Sequence, residues 1–325
     1  MSVKALPALK INRTLLTLVN RQELILMAMI CAGLAGAYQL SPTFLDPTKQ
    51  VYLSSKIWDL AILSVPMTLI ILTGGIDLSV GSAGALSAVV FGLLYNAHVP
   101  IWIGCLVGIG AGTLCGAFNG WFVAYVRVHP LIVTLATLAA FRGIAVGISH
   151  AQAYSGFPDW FTNIGQGSVG GFPIPGLFFI AVLVVGLWAM GKTPIGVVIS
   201  AIGFNQNASK FSGIPVERIK FALYTLSGTA AGIAAILYVS WRNTAKADMF
   251  GDMALNVITA VILGGTSIFG GRGRLFGTVL GIILIHETRE FLSWQWDRNE
   301  LNSIVIGGML IVSVLADSLF NLKRR

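Results

Sequence analysis

The stretch IWIGCLVGIGAGTLCGAFNGWFVAYV, Ile101–Val126, runs for 26 residues without one charged side chain. As a helix it would be about 39 Å long at 1.5 Å per residue, enough to cross the roughly 30 Å hydrocarbon layer of a bilayer. It also carries Gly104, Gly108, Gly112, Gly116 and Gly120 at strict four-residue spacing. Residues four apart on a helix share a face, so these glycines predict a bare groove about 24 Å long. Such a groove lets a second helix approach closely, the usual packing device in membranes. The groove is expected to receive another helix of the same chain.

The rest of the sequence has the same character. Of its 325 residues 55% are hydrophobic and 10% charged, and the mean hydropathy is +0.81. A soluble domain carries about 25% charged residues, so this chain lacks the polar surface to cover a globule. Apolar runs recur at Leu60–Thr73, Leu78–Tyr95 and Pro175–Met190. They are solidly apolar rather than alternating, which excludes a β-barrel. The fold class expected is all-α, a polytopic transmembrane bundle of about ten spans near 24–40, 58–73, 78–96, 99–125, 130–150, 172–190, 218–240, 254–270, 275–287 and 301–319. The domain plan is a segment 1–23, a single membrane domain 24–319 with a loop at 191–218, and a tail 320–325. The charged start extends to Glu23, too far for a cleaved signal, so 24–40 is taken as the first span.

An even span count puts both termini on one side. That side holds Lys4, Lys10, Arg13, Arg21, Arg127, Lys192, Lys210, Arg218, Lys220, Arg272, Arg274, Lys323, Arg324 and Arg325, against Lys49, Lys56, Arg242, Lys246, Arg289 and Arg298 on the other. Basic residues accumulate in cytoplasmic loops, so both termini are expected inside. The net charge of +8 then reports cytoplasmic loops, and nucleic acid is not expected as a partner. Cys31, Cys105 and Cys115 lie in apolar runs with no metal-ligand spacing and are expected to be small buried hydrophobes. Neither a metal site nor a catalytic residue is expected: none of the four histidines has a nucleophile or ligand partner in a motif.

One motif argues against this picture on its face. GLWAMGKT, Gly186–Thr193, matches the phosphate-loop pattern letter for letter. A working phosphate loop follows a strand and opens a helix. Here the match closes an apolar span, its variable positions are bulky, and Pro194 follows. Lys192 is expected to anchor a span end at the interface, with no nucleotide bound by this chain.

A second glycine pattern suggests an internal two-fold repeat. ILTGGIDLSVG (Ile71–Gly81) can be laid without gaps on VILGGTSIFGG (Val261–Gly271), matching Gly74, Gly75 and Gly81 to Gly264, Gly265 and Gly271. Gly-interrupted apolar segments in corresponding places of two halves point to broken helices around a transport path; two ordinary Gly-rich turns are the alternative. Gly74, Gly75, Asp77, Ser79, Gly264, Gly265 and Ser267 are the pathway or helix-break candidates. Asp77 is expected in the first turn of the helix that follows, accepting hydrogen bonds from free N–H groups, rather than binding substrate. Gly273, Gly277 and Gly281 form a shorter small-residue ridge. Arg142, within a span, is expected to line a polar cavity, meet a set of carbonyls or lie near an interface.

Three motifs then carry a resemblance. TGGIDLSVGS (Thr73–Ser82), HPLIVTLATLAAFRG (His129–Gly143) and AVILGGTSIFGGRGRLFGTVLG (Ala260–Gly281) resemble the inner-membrane permeases of bacterial ABC importers of the ribose, arabinose and galactose type, a family that includes rhamnose and autoinducer-2 importers. The likeness covers nearly the whole chain. The segment Trp241–Asp252 and the tail His286–Leu301 look most like the rhamnose branch. The resemblance implies a second permease subunit, identical or related, a cytoplasmic ABC ATPase that carries ATP and magnesium, and a periplasmic sugar-binding protein. It implies a small sugar as cargo and no cofactor in this chain.

It also implies that AIGFNQNASKFSGIPVERIK (Ala201–Lys220) contains the helix that docks on the ATPase. Gly203, Asn205, Ala208, Gly213 and Ile214 fit the family pattern, whereas Phe204, Gln206, Asn207 and Val197 depart from it. Gly203, Asn205, Gln206, Asn207, Ala208, Lys210 and Gly213 are the docking candidates, on a short polar helix near Asn205–Ser212 stopped by Gly213 and Pro215. Arg242, Lys246 and Arg298 are candidates for docking the binding protein, with plain solvated loop charge as the alternative. A proton- or sodium-coupled carrier would need intramembrane carboxylates, and Asp77 is the only good one. A channel would need no long docking loop.

Overall fold

The computed structural model describes residues 21–296 and 299–322; Arg298, residues 1–20 and residues 323–325 lie outside them. The chain is helical almost throughout. The helices are α1 (Arg21–Leu40), α2 (Pro47–Ser54), α3 (Trp58–Leu72), α4 (Val80–Asn96), α5 (Ile101–Trp121), α6 (Pro130–Ser149) and α7 (Asp159–Gln166). They continue with α8 (Ile174–Lys192), α9 (Pro194–Phe204), α10 (Gln206–Phe211), α11 (Val216–Arg242), α12 (Met253–Leu263), α13 (Leu275–Trp296) and α14 (Asn299–Leu322). Two short antiparallel pairs clip the loops: β1 (Tyr154–Ser155) on β4 (Thr244–Ala245), and β2 (Ser168–Val169) on β3 (Phe172–Pro173).

Among the described residues five helices are long and apolar enough to cross a bilayer: α1, α5 with the π turn Phe122–Val126, α6, α8 and α11. The pair α2 and α3, bent by 58° at its break, makes a sixth if it is one span. Helices α4, α9 and α12, and residues 300–315 of α14, are shorter apolar helices. Two expected spans change. The one placed at 254–270 stops at Leu263, because Gly264 and Gly265 end the helix there. The one placed at 275–287 runs on to Trp296, carrying Glu287, Arg289 and Glu290 in its second half. GLWAMGKT is helical through Lys192, and Thr193 caps α9 by accepting the Ile195 N–H at 3.2 Å, so no phosphate loop exists.

Helix α11 is central, packed on α3, α4 and α5. The five glycines of α5 face α4 and α11. A Cβ at Gly104 or Gly108 would meet Phe91 or the Ser87 carbonyl at 3.0 Å. At Gly112, Gly116 and Gly120 it would strike the backbone of α11 at Gly228, Tyr224 and Phe221. In the shorter ridge, Gly277 and Gly281 sit against Gly264 and the Ala260 carbonyl, while Gly273 lies before α13 and faces Thr266. Helix α3, with Pro66 inside it, is buried from Leu60 to Leu72. Its Thr68 hydroxyl lies 2.9 Å from that of Thr278, joining α3 to α13. At the end of the bundle near the starts of α3 and α12, Phe91, Phe157 and Phe161 stack into an aromatic cluster.

Candidate functional site

Two helix breaks meet inside this bundle. The first, residues 73–79, joins α3 to α4; the second, residues 264–274, joins α12 to α13. Both open with the same hydrogen-bond pattern. Gly74 N–H donates to the Ile71 carbonyl and Gly75 N–H to the Ile70 carbonyl. Gly265 N–H donates to Ile262 and Thr266 N–H to Val261. This is the Schellman ending, which wants glycine in the left-handed conformation at the first position past the cap; Gly74 has φ +76° and Gly265 φ +87°. The structurally equivalent residues are therefore Gly74 and Gly265, one position out of step with the gapless sequence pairing. Matching letters aligned the glycines; the backbone aligns the one that must turn left-handed.

The first break holds a buried carboxylate. Asp77 Oδ1 accepts from the Ser79 N–H at 3.0 Å and from the Ser79 hydroxyl at 2.7 Å, and Oδ2 accepts from the Ser227 hydroxyl of α11 at 2.9 Å. Asn119 Nδ2 of α5 donates to Ser79 Oγ at 2.7 Å, while its Oδ1 is buried without a partner. Asp77 thus precedes the Ser79 cap of α4 rather than sitting in the helix's first turn. It closes the turn and gathers α5 and α11 onto it. The Tyr224 hydroxyl fills the space a Cβ at Gly75 would take and lies 3.4 Å from the Ile76 carbonyl. Asn119, Ser227 and Tyr224 escaped the sequence reading. Their one signal is nearness to glycine: Asn119 adjoins Gly120, Ser227 adjoins Gly228, and Tyr224 lies one helical turn before Gly228.

The second break touches the first. Gly271 N–H donates to the Leu72 carbonyl at 2.8 Å, satisfying an otherwise free carbonyl at the end of α3. Gly270 leaves no room for a Cβ beside Gly74 N and Leu72 O. Ser267 and Thr266 are buried in this turn. Arg274 pairs with the buried Glu23 of α1 at 3.1 Å.

Helix α9 rests on this junction. A Cβ at Gly203 would collide with the Leu72 carbonyl and the Gly271 nitrogen, so only glycine allows the contact. Phe204 packs on Gly271, and the Arg272 guanidinium lies 5.7 Å from the Phe204 ring centroid. Asn205 then caps α10, accepting from the Ala208 N–H at 2.9 Å. Lys220 donates to Gln206 Oε1 at 2.6 Å, Lys210 pairs with Glu217, and Arg127 reaches Glu217 at 3.5 Å. Asn207 and Ala208 are exposed, and Gly213, at φ +83°, turns the chain into α11. Phe211 is 93% exposed, the most exposed large apolar side chain among the described residues. It also escaped the sequence reading, although an aromatic within QNASKF was its signal.

At the opposite ends of α3 and α11, Arg242 lies 4.4 Å from the Trp241 ring centroid and Lys246 is exposed. Arg142 of α6 donates to the carbonyls of Ala247 and Met249, at 2.8 Å for the latter, holding the segment between α11 and α12. Among the described residues no group of His, Cys, Asp or Glu could hold a metal.

Residues 50–314 match the family model described as branched-chain amino acid transport system / permease component. The chain belongs to this permease family. The permease is 35% identical over 303 residues to the autoinducer 2 import system permease protein LsrD of Escherichia coli O9:H4 strain HS, covering 91% of its own length and 92% of the relative's. The LsrD proteins of Escherichia coli K12 and Shigella flexneri match it to the same extent. No solved structure matches. It is a multi-pass protein of the inner membrane and the non-catalytic, permease component of its transport system.

Proposed function

We propose that this permease forms, with a second permease subunit, the pathway of an ATP-driven importer for a monosaccharide-class cargo delivered by a periplasmic binding protein. A second reading, autoinducer-2 as the cargo, is favoured by the LsrD relatives, which are autoinducer 2 import permeases. Ten spans with both termini inside accommodate the helices: α1, α2 with α3, α4, α5, α6, α8, α11, α12, α13 and α14. The fourteen-to-six distribution of basic residues supports that orientation. It puts α9 and α10 on the cytoplasmic face, within the loop 191–218, where the ATPase docks.

The observation that carries this reading is the path from Phe211 to the paired breaks. An exposed aromatic is the type of side chain that anchors an interface. It sits on α10, and α10 follows directly from α9, whose Gly203 lies on the Leu72 carbonyl and on Gly271. A push on α10 by an ATPase would reach both breaks with no soft element between. The breaks lie at the ends of α3, α4, α12 and α13, so their rearrangement would tilt four helices together. Energy comes from ATP and magnesium on the partner; this chain supplies the moving walls.

Phe211→Ser should leave the melting temperature of the purified permease unchanged, because an exposed side chain away from packing shifts stability by about 0.5 kcal/mol or less. The same variant should lose the ATPase on co-purification and lose ATP-driven uptake. Retained uptake with a full complement of ATPase would defeat the docking role.

A further inference from the structure

Between the starts of α3 and α12, the end of α11 and the middle of α13 lies a cavity of about 250 Å³. It is at the end of the bundle away from α9, since Leu72, Val216 and Leu263 mark the other ends of the helices that line it. It is just below the roughly 300 Å³ that begins the range for drug-sized ligands, a fit for something of monosaccharide size. We infer that this cavity is a receiving site for a neutral, polyhydroxylated cargo inside one permease subunit. The inference rests on the importer reading above.

The charge of the lining argues for a neutral ligand. Lys56, Arg242 and Arg289 face Asp59, Asp252 and Glu290, three cations against three carboxylates. An anion or a cation would meet as much repulsion as attraction. A polyol, whose hydroxyls both donate and accept, can use both signs at once.

Two further side chains are held ready and unspent. His286 and Asn256 line the cavity, are 8% and 9% exposed, and carry no hydrogen bond or ion pair among the described residues. Their polar atoms are open to the cavity rather than sealed in the protein, so a ligand hydroxyl can reach them. Lys56 and Glu290, by contrast, already pair at 2.6 Å and form a fixed edge. Trp241 and Tyr238 add aromatic walls, with the Arg242 guanidinium lying against both rings. Aromatic walls with a few placed polar groups are the usual make-up of a small-molecule site.

The test uses the full chain in lipid nanodiscs, with its own cysteines replaced and Met253→Cys introduced as a reporter on the cavity wall. Its reaction with a small water-soluble thiol reagent is timed in D-ribose, L-rhamnose, autoinducer-2 or sodium sulfate. Lys246→Cys, outside the cavity, is the control, and Asp252→Cys on the rim gives the same readout should Met253→Cys not fold. The expected result is that at least one polyol slows the Met253→Cys reaction about tenfold at ten times its Kd, because the unoccupied fraction falls as 1/(1 + [L]/Kd). Sulfate should not protect, and adding His286→Leu or Asn256→Leu should abolish protection. The inference is overturned if no polyol protects Met253→Cys beyond Lys246→Cys, or if sulfate protects as well. ATP-driven uptake by the assembled importer, measured alongside, separates the two failures: uptake without protection sinks this site and leaves the importer reading standing.

Discussion

At the first break a buried carboxylate collects hydrogen bonds from its own turn and from α11, and α5 closes over it; at the second there is no carboxylate, and the turn is held from outside. Asp77 takes bonds from Ser79 and Ser227, with Asn119 behind Ser79. The second break has Arg272 and Arg274 instead, one over the Phe204 ring and one paired with Glu23 of α1. The first is thus tied to the central helices and the second to the peripheral ones, α1 and α9. On the coupling proposed above, both turns would move with α9, the Asp77 turn as the more firmly anchored pivot and the glycine-rich turn as the one that yields further.

Removing the pivot should cost most. Asp77→Ala takes the acceptor from three hydrogen bonds, each worth about 1.5–3 kcal/mol when one partner is charged. It should give the largest drop in melting temperature of the substitutions considered, with Asp77→Asn intermediate. Even at the roughly 0.6 kcal/mol average for bonds between membrane helices, the sum stays measurable. A wild-type melt for Asp77→Ala would erase the distinction between the breaks.

Next is Gly203→Leu, which drives a side chain into the backbone of both breaks. Overpacking of this kind costs about 1–3 kcal/mol. The sharper outcome is functional: ATP hydrolysis by the assembled importer should continue while uptake stops. Coupled uptake in Gly203→Leu would show that α9 does not bear on the breaks.

The smallest effect tests the register. Gly74→Ala and Gly265→Ala each force a left-handed residue, at about 1–2 kcal/mol, and should destabilise equally in thermal melts. At Gly74 the nearest atom to a new Cβ is 3.9 Å away; at Gly265 it is the movable end of Gln22, so backbone strain dominates both. Clearly unequal losses would mean that the two turns are not equivalents.

Much of this was legible in sequence because membranes simplify it. Charge-free runs such as Ile101–Val126 declare themselves, and glycines four apart announce a groove. The groove does not name its occupants: α4 is the preceding helix, but α11, with Ser227 and Tyr224, comes from about a hundred residues further along the chain. Helix α9 was hidden in a loop, although Thr193 before Pro194 is an N-cap followed by proline at the first helical position, a start signal. The pairing of the two glycine turns was visible but off by one, because glycine letters are plentiful and only the φ angle tells which one turns the chain. Phe211 showed in sequence only as an aromatic in a polar stretch; its meaning lies in its exposure.

The account's central claim is that this chain is a gate moved by a separate motor. The most direct measurement is uptake of labelled sugar into vesicles containing the permease alone, and into vesicles containing it with its ATPase and binding protein. Accumulation against a gradient that requires ATP, and occurs only in the second set, is the predicted result. Uphill accumulation or nucleotide hydrolysis by the permease alone would contradict it.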